Sequence, residues 1–419
     1  MHRITRLFSI VLFLFLFTLS FHAYSETLNI SSTFSSSSGN DFINTTPQGG
    51  FCIEYSQQCS GNKTFSISLA LTASLMQDWI LAYGAPQDAM YYKMPGALRS
   101  VKVTNAEHKS VFVHFRFAGL AATYSTHFDW TVAQHTDSWA GGAFINAPGP
   151  CISSGIGVPS ARKYNFMWKW PENNVACYKT PVADLHYEPY VIHDMSIVYE
   201  LRTPDPFQLA PGDYKGTLHF TIGPGGDMDF GDRFVPSDSS LDINFLLSVN
   251  HEFKITTSAE DRMVALQPCK PGQVCSAKEG EANWERWRVS RVTPQLTGRS
   301  NFGITSSGDF TVYLDCMNSQ VGQDCALESD NTAQQVPFSA FITLPANIVD
   351  SATGAAIVQR RLHIGKDPAK NLFTTKSYAQ NQKGSIDFLV AQHDVDTMLS
   401  TRPDTYRGGA TVIFDQNIN

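Results

Sequence analysis

The chain is 419 residues long, and its 31 lysine and arginine residues against 38 aspartate and glutamate residues give a formal net charge of −7. This acidic balance argues against nucleic acid as a partner, because nucleic-acid-binding domains concentrate positive charge. Charged residues make up only 16% of the chain and aromatic residues 12%. Such a composition, rich also in serine, threonine and glycine, favours strands and turns over helices.

The N-terminus has the three-part layout of a secretory signal peptide. Two arginines open the chain, an almost purely apolar run follows over 7–21, and Ala23 and Ser25 place small residues where a signal peptidase reads. A membrane anchor is the alternative, but the run is shorter than the ~20 residues that a spanning helix needs. We therefore predict a signal peptide over 1–25, a mature chain that begins near Glu26, and export.

Eight cysteines, an even number, predict disulfides in an exported chain. Structural zinc is the alternative, but no pair has C-x-x-C spacing. We expect cysteines that are close in sequence to pair with each other. The expected pairs are Cys52–Cys59, Cys151–Cys177, Cys269–Cys275 and Cys316–Cys325.

Period-two alternation of apolar and polar residues is the main structural signal. In Val111–Phe117 (VFVHFRF) every second side chain is apolar, as in a half-buried strand. Ala73–Tyr83 is the best helical candidate, although it fits a strand with a bend equally well. Gly- and Pro-rich turns separate the strand-like runs, so the pattern predicts an all-β fold built from β-sandwiches. Further strand-like runs lie at 65–69, 214–222, 241–249, 310–314, 338–344, 386–390 and 410–414.

A turn-rich, polar segment over 223–240 interrupts the strand-like runs. Four cysteines precede it and four follow it, so each side can hold its own disulfides. We predict an N-terminal domain over 26–235 and a C-terminal domain over 240–419.

Motifs of the common enzyme classes are not found: there is no G-x-S-x-G, no H-E-x-x-H and no phosphate-binding loop. His186, Glu188 and His193 are better explained as surface residues than as metal ligands. The aspartates at 227, 229 and 232 lack the full set of ligands of a calcium loop. We predict no catalytic residues, no metal and no cofactor.

A basic pair close to two tryptophans is the candidate ligand-binding site. Arg162 and Lys163 precede Trp168 and Trp170, whose indoles lie on one face of a strand, and Arg116 is a further candidate. Guanidinium and ammonium groups bind anionic sugar substituents, and an indole stacks on a sugar ring. The alternative is that both tryptophans belong to the core, where large aromatic residues are common.

Three segments give the chain a resemblance to a known family. Leu209–Asp232 (LAPGDYKGTLHFTIGPGGDMDFGD) resembles the last strand and linker of an adhesin domain. Leu241–Ile255 (LDINFLLSVNHEFKI) resembles the opening of a pilin domain, and Thr405–Asp415 (TYRGGATVIFD) resembles its closing strand. In this layout the chain is similar to tip adhesins and minor pilin subunits of chaperone–usher fimbriae, of the class 5 (alternate chaperone pathway) or cable-pilus minor subunit type.

The resemblance implies a fold, a function and partners. It implies two immunoglobulin-like β-sandwich domains in tandem, the second an incomplete pilin-type sandwich that lacks its last strand. A periplasmic pilus chaperone, an outer-membrane usher and a major fimbrial subunit that donates the missing strand are the implied partners. The first domain is expected to bind a host-surface glycan or glycoprotein at the fimbrial tip, after export through the periplasm.

Two local expectations follow from the resemblance. Glu26–Asn40 has too few apolar residues, diluted by serine, to serve as a donor strand, which favours a tip position. In the closing strand Ala410–Phe414, Val412 and Phe414 are expected to face the interior beside an unpaired groove.

Two other functions stay open. A secreted β-sandwich enzyme acting on carbohydrate would carry two exposed carboxylates ~5–10 Å apart in a cleft. A structural minor pilin would join the fimbria without binding a receptor.

Overall fold

A computed structural model describes residues 25–35, 38–61, 64–77, 79–186, 189–317, 319–367 and 369–416. The predicted signal peptide lies outside these residues except for Ser25, and so does Glu188. Strands dominate the described chain, which confirms the all-β prediction. Within these ranges, none of the helices combines the length and the apolar character needed to cross a membrane.

The first strands of the chain extend to residue 249, and three short helices lie among them. The helices are α1 (Phe51–Glu54), α2 (Ser56–Gly61) and α3 (Val132–Asp137). The strands are β1 (Ser25–Phe34), β2 (Ile43–Asn44), β3 (Ile67–Ser68), β4 (Ala73–Leu75), β5 (Trp79–Ile80), β6 (Met90–Met94), β7 (Arg99–Thr104), β8 (Ser110–Ser125), β9 (Ile152–Pro159), β10 (Lys163–Lys169), β11 (Val175–Lys179), β12 (Leu185–His186), β13 (Val191–Arg202), β14 (Gly212–Thr221), β15 (Phe234–Pro236) and β16 (Ser240–Val249).

The remaining strands follow from residue 253, together with two longer helices, α4 (Ala277–Ser290) and α5 (Gln392–Ser400). The strands are β17 (Phe253–Thr256), β18 (Gln267–Cys269), β19 (Gln295–Ser306), β20 (Phe310–Cys316), β21 (Gln320–Val321), β22 (Asp324–Ser329), β23 (Gln335–Thr343), β24 (Ile348–Asp350), β25 (Arg360–Arg361), β26 (Leu372–Thr375), β27 (Ala379–Val390), β28 (Tyr406–Arg407) and β29 (Ala410–Gln416).

The described chain divides into two compact units. The first comprises 25–32, 44–204 and 213–247, and the second comprises 33–43, 205–212 and 248–416. In the turn-rich segment 223–240, β15 pairs with β4, and β16, which begins at Ser240, lies between β14 and β1 in the same sheet. The division therefore falls inside β16, and the domain limits 26–235 and 240–419 stay a prediction.

The main sheet of the first unit follows the order β15-β4-β13-β8-β7-β14-β16-β1-β2, and β10 pairs with both β8 and β9. The alternation predicted for β8 is confirmed, since Val113, Phe115 and Phe117 are fully buried while Phe112 is 58% exposed. The predicted helical candidate over 73–83 forms β4 and β5 with a bend between them, the alternative that the pattern left open.

The second unit is a sandwich of two antiparallel sheets. One sheet follows the order β17-β19-β27-β23-β22-β21, and the other follows β24-β26-β20-β29. Their facing side chains form one apolar core. Its centre includes Phe310, Val312, Leu314, Ala340 and Ile342.

All four predicted disulfide pairs are confirmed, and each lies within one unit. Cys52–Cys59 and Cys151–Cys177 belong to the first unit. Cys269–Cys275 and Cys316–Cys325 belong to the second.

Candidate functional site

The last strand of the second unit has one paired edge and one open edge. β29 pairs with β20 from Ala410 opposite Cys316 to Gln416 opposite Phe310. It ends the sheet order β24-β26-β20-β29, so no other described strand pairs with it. Its outer edge therefore presents backbone N–H and C=O groups that are free to pair with an added strand.

The pairing register turns Val412 and Phe414 toward the core, as the sequence predicted. Val412 lies opposite Leu314 and Phe414 opposite Val312, both of which are buried. Phe414 also contacts the ring of Phe302 on the opposite sheet, with ring centres 5.1 Å apart. Both side chains are nevertheless only partly buried, so apolar surface remains uncovered beside the open edge.

A groove of about 640 Å³ runs between β29 and the facing sheet. Phe302, Ile386 and Phe388 contribute to its lining from β19 and β27, and Ile255 contributes from β17. A second cavity of about 200 Å³ shares four lining residues with the first. We call the two together the β29 groove; the shared residues are Arg262, Val264, Phe388 and Ala410.

The chemistry of the β29 groove suits an extended peptide. A strand paired along the open edge of β29 would direct every second side chain into the groove, because side chains alternate between the faces of a sheet. The lining offers these side chains the aromatic rings of Phe302 and Phe388 and the aliphatic side chain of Val264. Backbone pairing would supply affinity and the apolar positions would supply register.

At the mouth of the groove, Asp261 is fixed by hydrogen bonds rather than by a cation. Its carboxylate accepts from Ser258 Oγ at 2.6 Å and from the backbone N–H of Asn301 at 3.0 Å. The Ser258 hydroxyl, and then the two donors of Asn301, hold the pKa of Asp261 below its usual value. Asp261 thus stays ionised next to Arg262, whose side chain has no carboxylate partner among the described residues.

In the first unit, the two tryptophans of the predicted ligand site are part of the core. Trp168 is fully buried and Trp170 is 2% exposed. The Trp168 ring stacks on Phe144, with centres 5.4 Å apart and planes 18° apart. Trp168 Nε1 donates to the Phe144 carbonyl, and Trp170 Nε1 donates to the Val175 carbonyl at 3.2 Å. Neither indole is therefore available to stack on a ligand, which is the alternative weighed from the sequence.

Arg116 is also engaged inside the unit. Its Nε donates to Glu200 at 2.6 Å and its Nη1 donates to the Trp170 carbonyl at 3.2 Å. The hydrogen bond from Arg116 lowers the pKa of Glu200. Only 14% of the Arg116 side chain is exposed, so this guanidinium fixes the end of β10 and is not free to bind a ligand.

Arg162 and Lys163 are the two predicted site residues that remain exposed. Arg162 forms an ion pair with Asp129. Lys163 lies directly opposite Ser125 in the pairing of β10 with β8. Ser125 Oγ is 2.5 Å from His193 Nε2, and His193 Nδ1 is 2.8 Å from the Asp194 carboxylate. We call this set the Lys163 cluster: Ser125, Asp129, Arg162, Lys163, His193 and Asp194.

The Ser125–His193–Asp194 chain has the hydrogen-bond order of a serine hydrolase. Acyl transfer also needs backbone N–H groups that point at the developing oxyanion. Here Ser125 is paired with a neighbour on each side, Lys163 on β10 and Val191 on β13. The next N–H group, that of Thr126, donates to the Arg162 carbonyl at 2.9 Å. The geometry therefore favours a polar binding surface over a nucleophilic centre.

Sequence reasoning missed Ser125, and it treated His193 as a surface residue without finding its contact with Ser125. The two side chains meet through the pairing of β8 with β13, across 68 positions of the chain. No local pattern marks either residue, because their contact is set by strand register alone.

A lysine is buried beside the aromatic core that holds Trp168. Lys179 is 2% exposed, and its Nζ donates to the carbonyls of Gly142 at 2.8 Å and Ala140 at 3.4 Å. It also lies 5.7 Å from the centre of the Phe144 ring. Burial lowers the pKa of Lys179 to about 8. This ammonium group ties a surface loop to the core.

Comparison of the sequence with protein-family models gives no match, and comparison with curated proteins gives none. Among solved structures, the chain is similar to a chaperone–tip adhesin complex of CFA/I fimbriae biogenesis (8% identity, TM-score 0.24, 94% of this chain and 98% of that chain). It is also similar to CfaE, the adhesive subunit of CFA/I fimbria of enterotoxigenic Escherichia coli (6% identity, TM-score 0.22, 94% of this chain and 95% of that chain). A third is the CsuC–CsuE chaperone–tip adhesion subunit complex of Acinetobacter baumannii (9%, 0.23, 94% and 99%). With TM-scores this low, the similarities carry no argument about this chain.

We expect Trp168→Ala to lower the free energy of unfolding of the first unit by about 3–5 kcal/mol, because it leaves a large cavity in a packed core. Phe128→Ala, at a position that is 54% exposed, is the matched control and should change stability by less than about 0.5 kcal/mol. Urea unfolding of the full mature chain, followed by tryptophan fluorescence, measures both. An unchanged midpoint in Trp168→Ala would contradict the core assignment.

We expect the stability of the first unit to rise with pH between about 8 and 10.5 relative to Lys179→Met. Over this window the unfolded chain still holds a proton on Lys179 that the folded chain has lost, since the folded pKa is about 8 and the ordinary value is 10.5. Stability rises with pH wherever the unfolded state binds more protons, here by on the order of 2–3 kcal/mol.

Urea unfolding at pH 7, 8, 9 and 10 gives the difference between wild type and Lys179→Met. Lys102→Met, at an exposed position of β7, is the control for loss of one lysine. If both variants differed from the wild type by the same pH-dependent amount, the effect could not be assigned to the burial of Lys179.

Proposed function

We propose that this chain is the tip adhesin, or the minor subunit that initiates assembly, of a chaperone–usher fimbria. The second unit joins the fimbria by accepting a donor strand from a major subunit, and the first unit binds a host-surface glycan or glycoprotein. The observation that carries the proposal is the open edge of β29 beside an apolar groove.

Strand acceptance accounts for features that an isolated sandwich leaves unexplained. Val412 and Phe414 point inward yet are only half-buried, and an added strand would cover them. An edge of this kind also pairs readily with other chains, which makes it an aggregation hazard. A periplasmic chaperone that covers the groove until the usher exchanges it for a donor strand removes that hazard.

The place of the first strand supports a tip position. A subunit that donates a strand needs a free N-terminal extension. In this chain β1 lies between β16 and β2 in the main sheet, and its Ile30 and Phe34 side chains are buried. The first described strand is thus held in a sheet of its own chain, which supports the proposal that this subunit accepts a strand without donating one.

The Lys163 cluster is the candidate receptor surface of the first unit. It combines a guanidinium, an ammonium, a hydroxyl and an imidazole with two carboxylates. Phe128, next to Asp129, is 54% exposed and offers a ring for stacking on a sugar. Such a mixture of donors, acceptors and one aromatic ring suits a hydroxylated ligand with an acidic group.

A donor strand fused after Asn419 through a short flexible linker should stabilise the second unit. Burial of several apolar side chains in the β29 groove, at about 1.5–3 kcal/mol each, should raise its thermal midpoint by roughly 10 °C or more. The control fusion carries the same strand with its inward apolar residues replaced by serine. Calorimetry of the two purified fusions measures the effect. Equal midpoints would show that the groove does not accept a strand.

Arg162→Ala combined with Lys163→Ala should abolish binding to host cells or glycan arrays while leaving the thermal midpoint unchanged. Exposed charges contribute at most about 1 kcal/mol to stability. Loss of binding would therefore reflect the loss of ligand contacts at the Lys163 cluster and not unfolding. Lys102→Ala with Lys109→Ala removes the same charge from other exposed positions and is the control. If the first double variant binds like the wild type, the receptor surface lies elsewhere.

A further inference from the structure

A second cationic surface lies in the second unit, around the C-terminal end of α4. Four exposed arginines belong to this part of the unit. Arg288 pairs with Glu285 at 3.0 Å, and Arg286 donates to the Asn283 side chain at 2.7 Å. For the other two, no carboxylate partner is found within 4.0 Å among the described residues. These two are Arg291 and Arg402.

Arg291 and Arg402 both lie over the indole of Trp287. Their guanidinium carbons are 5.4 Å and 5.5 Å from the ring centre. The ring itself is held by Trp284, which contacts it edge-on at 5.5 Å and packs against the core of the unit. We call these three residues, Arg291, Trp287 and Arg402, the Trp287 stack. Stacking uses the flat face of a guanidinium and leaves its N–H donors at the rim free for another partner.

The backbone of Arg291 strengthens the case that its side chain is used. Arg291 caps α4 in the left-handed conformation, with φ 58°, and its N–H donates to the Trp287 carbonyl. Glycine is the usual residue at such a cap, because a side chain there meets its own backbone. In this chain the cap residue is an arginine, and its guanidinium lies over the Trp287 ring one turn earlier in the helix.

The electrostatics of the stack favour an anion. The two distances to the ring centre put the guanidinium groups within about 11 Å of each other, a separation comparable to the screening length in physiological salt. An anion bound between the two guanidinium groups would be attracted by both of them. The chain as a whole has a net charge of −7, so this local excess of positive charge runs against its overall balance.

We propose that the Trp287 stack binds a sulfate group of a sulfated glycan. The planar forks of Arg291 and Arg402 match the oxygens of a tetrahedral oxyanion. Val289 and Val292, 89% and 68% exposed, offer apolar contact to the carbon face of a sugar ring. This site shares no residue with the Lys163 cluster or with the lining of the β29 groove.

A flexible glycan fits this surface better than an anionic membrane. The cations of the stack are confined to a small area, and the exposed carboxylates of Glu281 and Glu285 belong to the same helix. The flat surface of an anionic membrane would approach these carboxylates together with the arginines. A single sulfate group on a flexible glycan can avoid the carboxylates.

Binding of the full mature chain to immobilised heparin, the probe for a sulfated glycan, tests the proposal. Arg291→Gly is the main variant, because glycine suits the left-handed cap. We expect at least about a tenfold loss of affinity with a thermal midpoint equal to or above that of the wild type. Arg402→Gln should give a similar loss. Wild-type affinity in both variants would overturn the proposal.

Two controls separate this site from the others. Lys254→Gln with Lys376→Gln removes two exposed charges of the same unit and should change heparin affinity less than about twofold. Lys102→Ala with Lys109→Ala removes two exposed charges of the first unit and should also leave heparin binding intact. An equal loss in either control would overturn the assignment to the Trp287 stack.

Vesicles containing phosphatidylglycerol and free inorganic sulfate complete the test. We expect neither to bind at concentrations where heparin does. If the chain bound the vesicles in a way that depended on Arg291 and Arg402 but did not bind heparin, the partner would be a lipid surface and the glycan proposal would be wrong.

Discussion

The unpaired edge of β29 limits how much of its apolar core the second unit can cover. A two-layer sandwich buries its core only if both sheets extend far enough to cover it. Here the smaller sheet ends at β29, and the facing strands β19 and β27 present Phe302, Ile386 and Phe388 to a groove. An open backbone edge and an apolar lining thus meet at the β29 groove, and the proposed donor strand would cover both.

The first unit satisfies the same requirement internally. Its sheet continues through β16 and β1 to β2, so the N-terminal strand covers apolar surface of its own chain. Its aromatic core is large and includes paired polar groups: the Tyr124 hydroxyl lies 2.8 Å from His135 Nδ1, and His135 Nε2 lies 2.8 Å from the Ser160 carbonyl oxygen. The two units thus differ: the described sheet of the first continues through β1 to β2, whereas the smaller described sheet of the second ends at β29 beside the groove.

Local patterns in the sequence predicted those features of the fold that depend on residues close together in the chain or on adjacent strands. The alternation in β8, the four disulfides, and the inward direction of Val412 and Phe414 all depend on neighbours along one or two strands. The burial of Trp168 and Trp170 was not predictable in this way. Alternation shows that the two indoles share a face, but only the packing of Phe144 and other rings on that face shows that it is covered. The contact of Ser125 with His193 depends on the register of distant strands, which no local pattern encodes.

The arginines of this chain fall into two groups, those that pair with a carboxylate and those that do not. In an acidic chain a guanidinium easily finds a carboxylate, and many do: Arg99, Arg116, Arg162, Arg233, Arg299, Arg360, Arg361 and Arg407 each pair with one. Such pairs mostly fix local structure. Among the described residues, Arg286 donates to the Asn283 side chain and not to a carboxylate, and Arg262, Arg291 and Arg402 have no carboxylate partner, although carboxylates outnumber basic residues in the sequence. Arg262 lies at the β29 groove, where a strand would pass, and the other two lie on Trp287. An arginine left unpaired where carboxylates are plentiful keeps its donors available for a partner from outside the chain, and that is the physical reason to assign binding to these two surfaces.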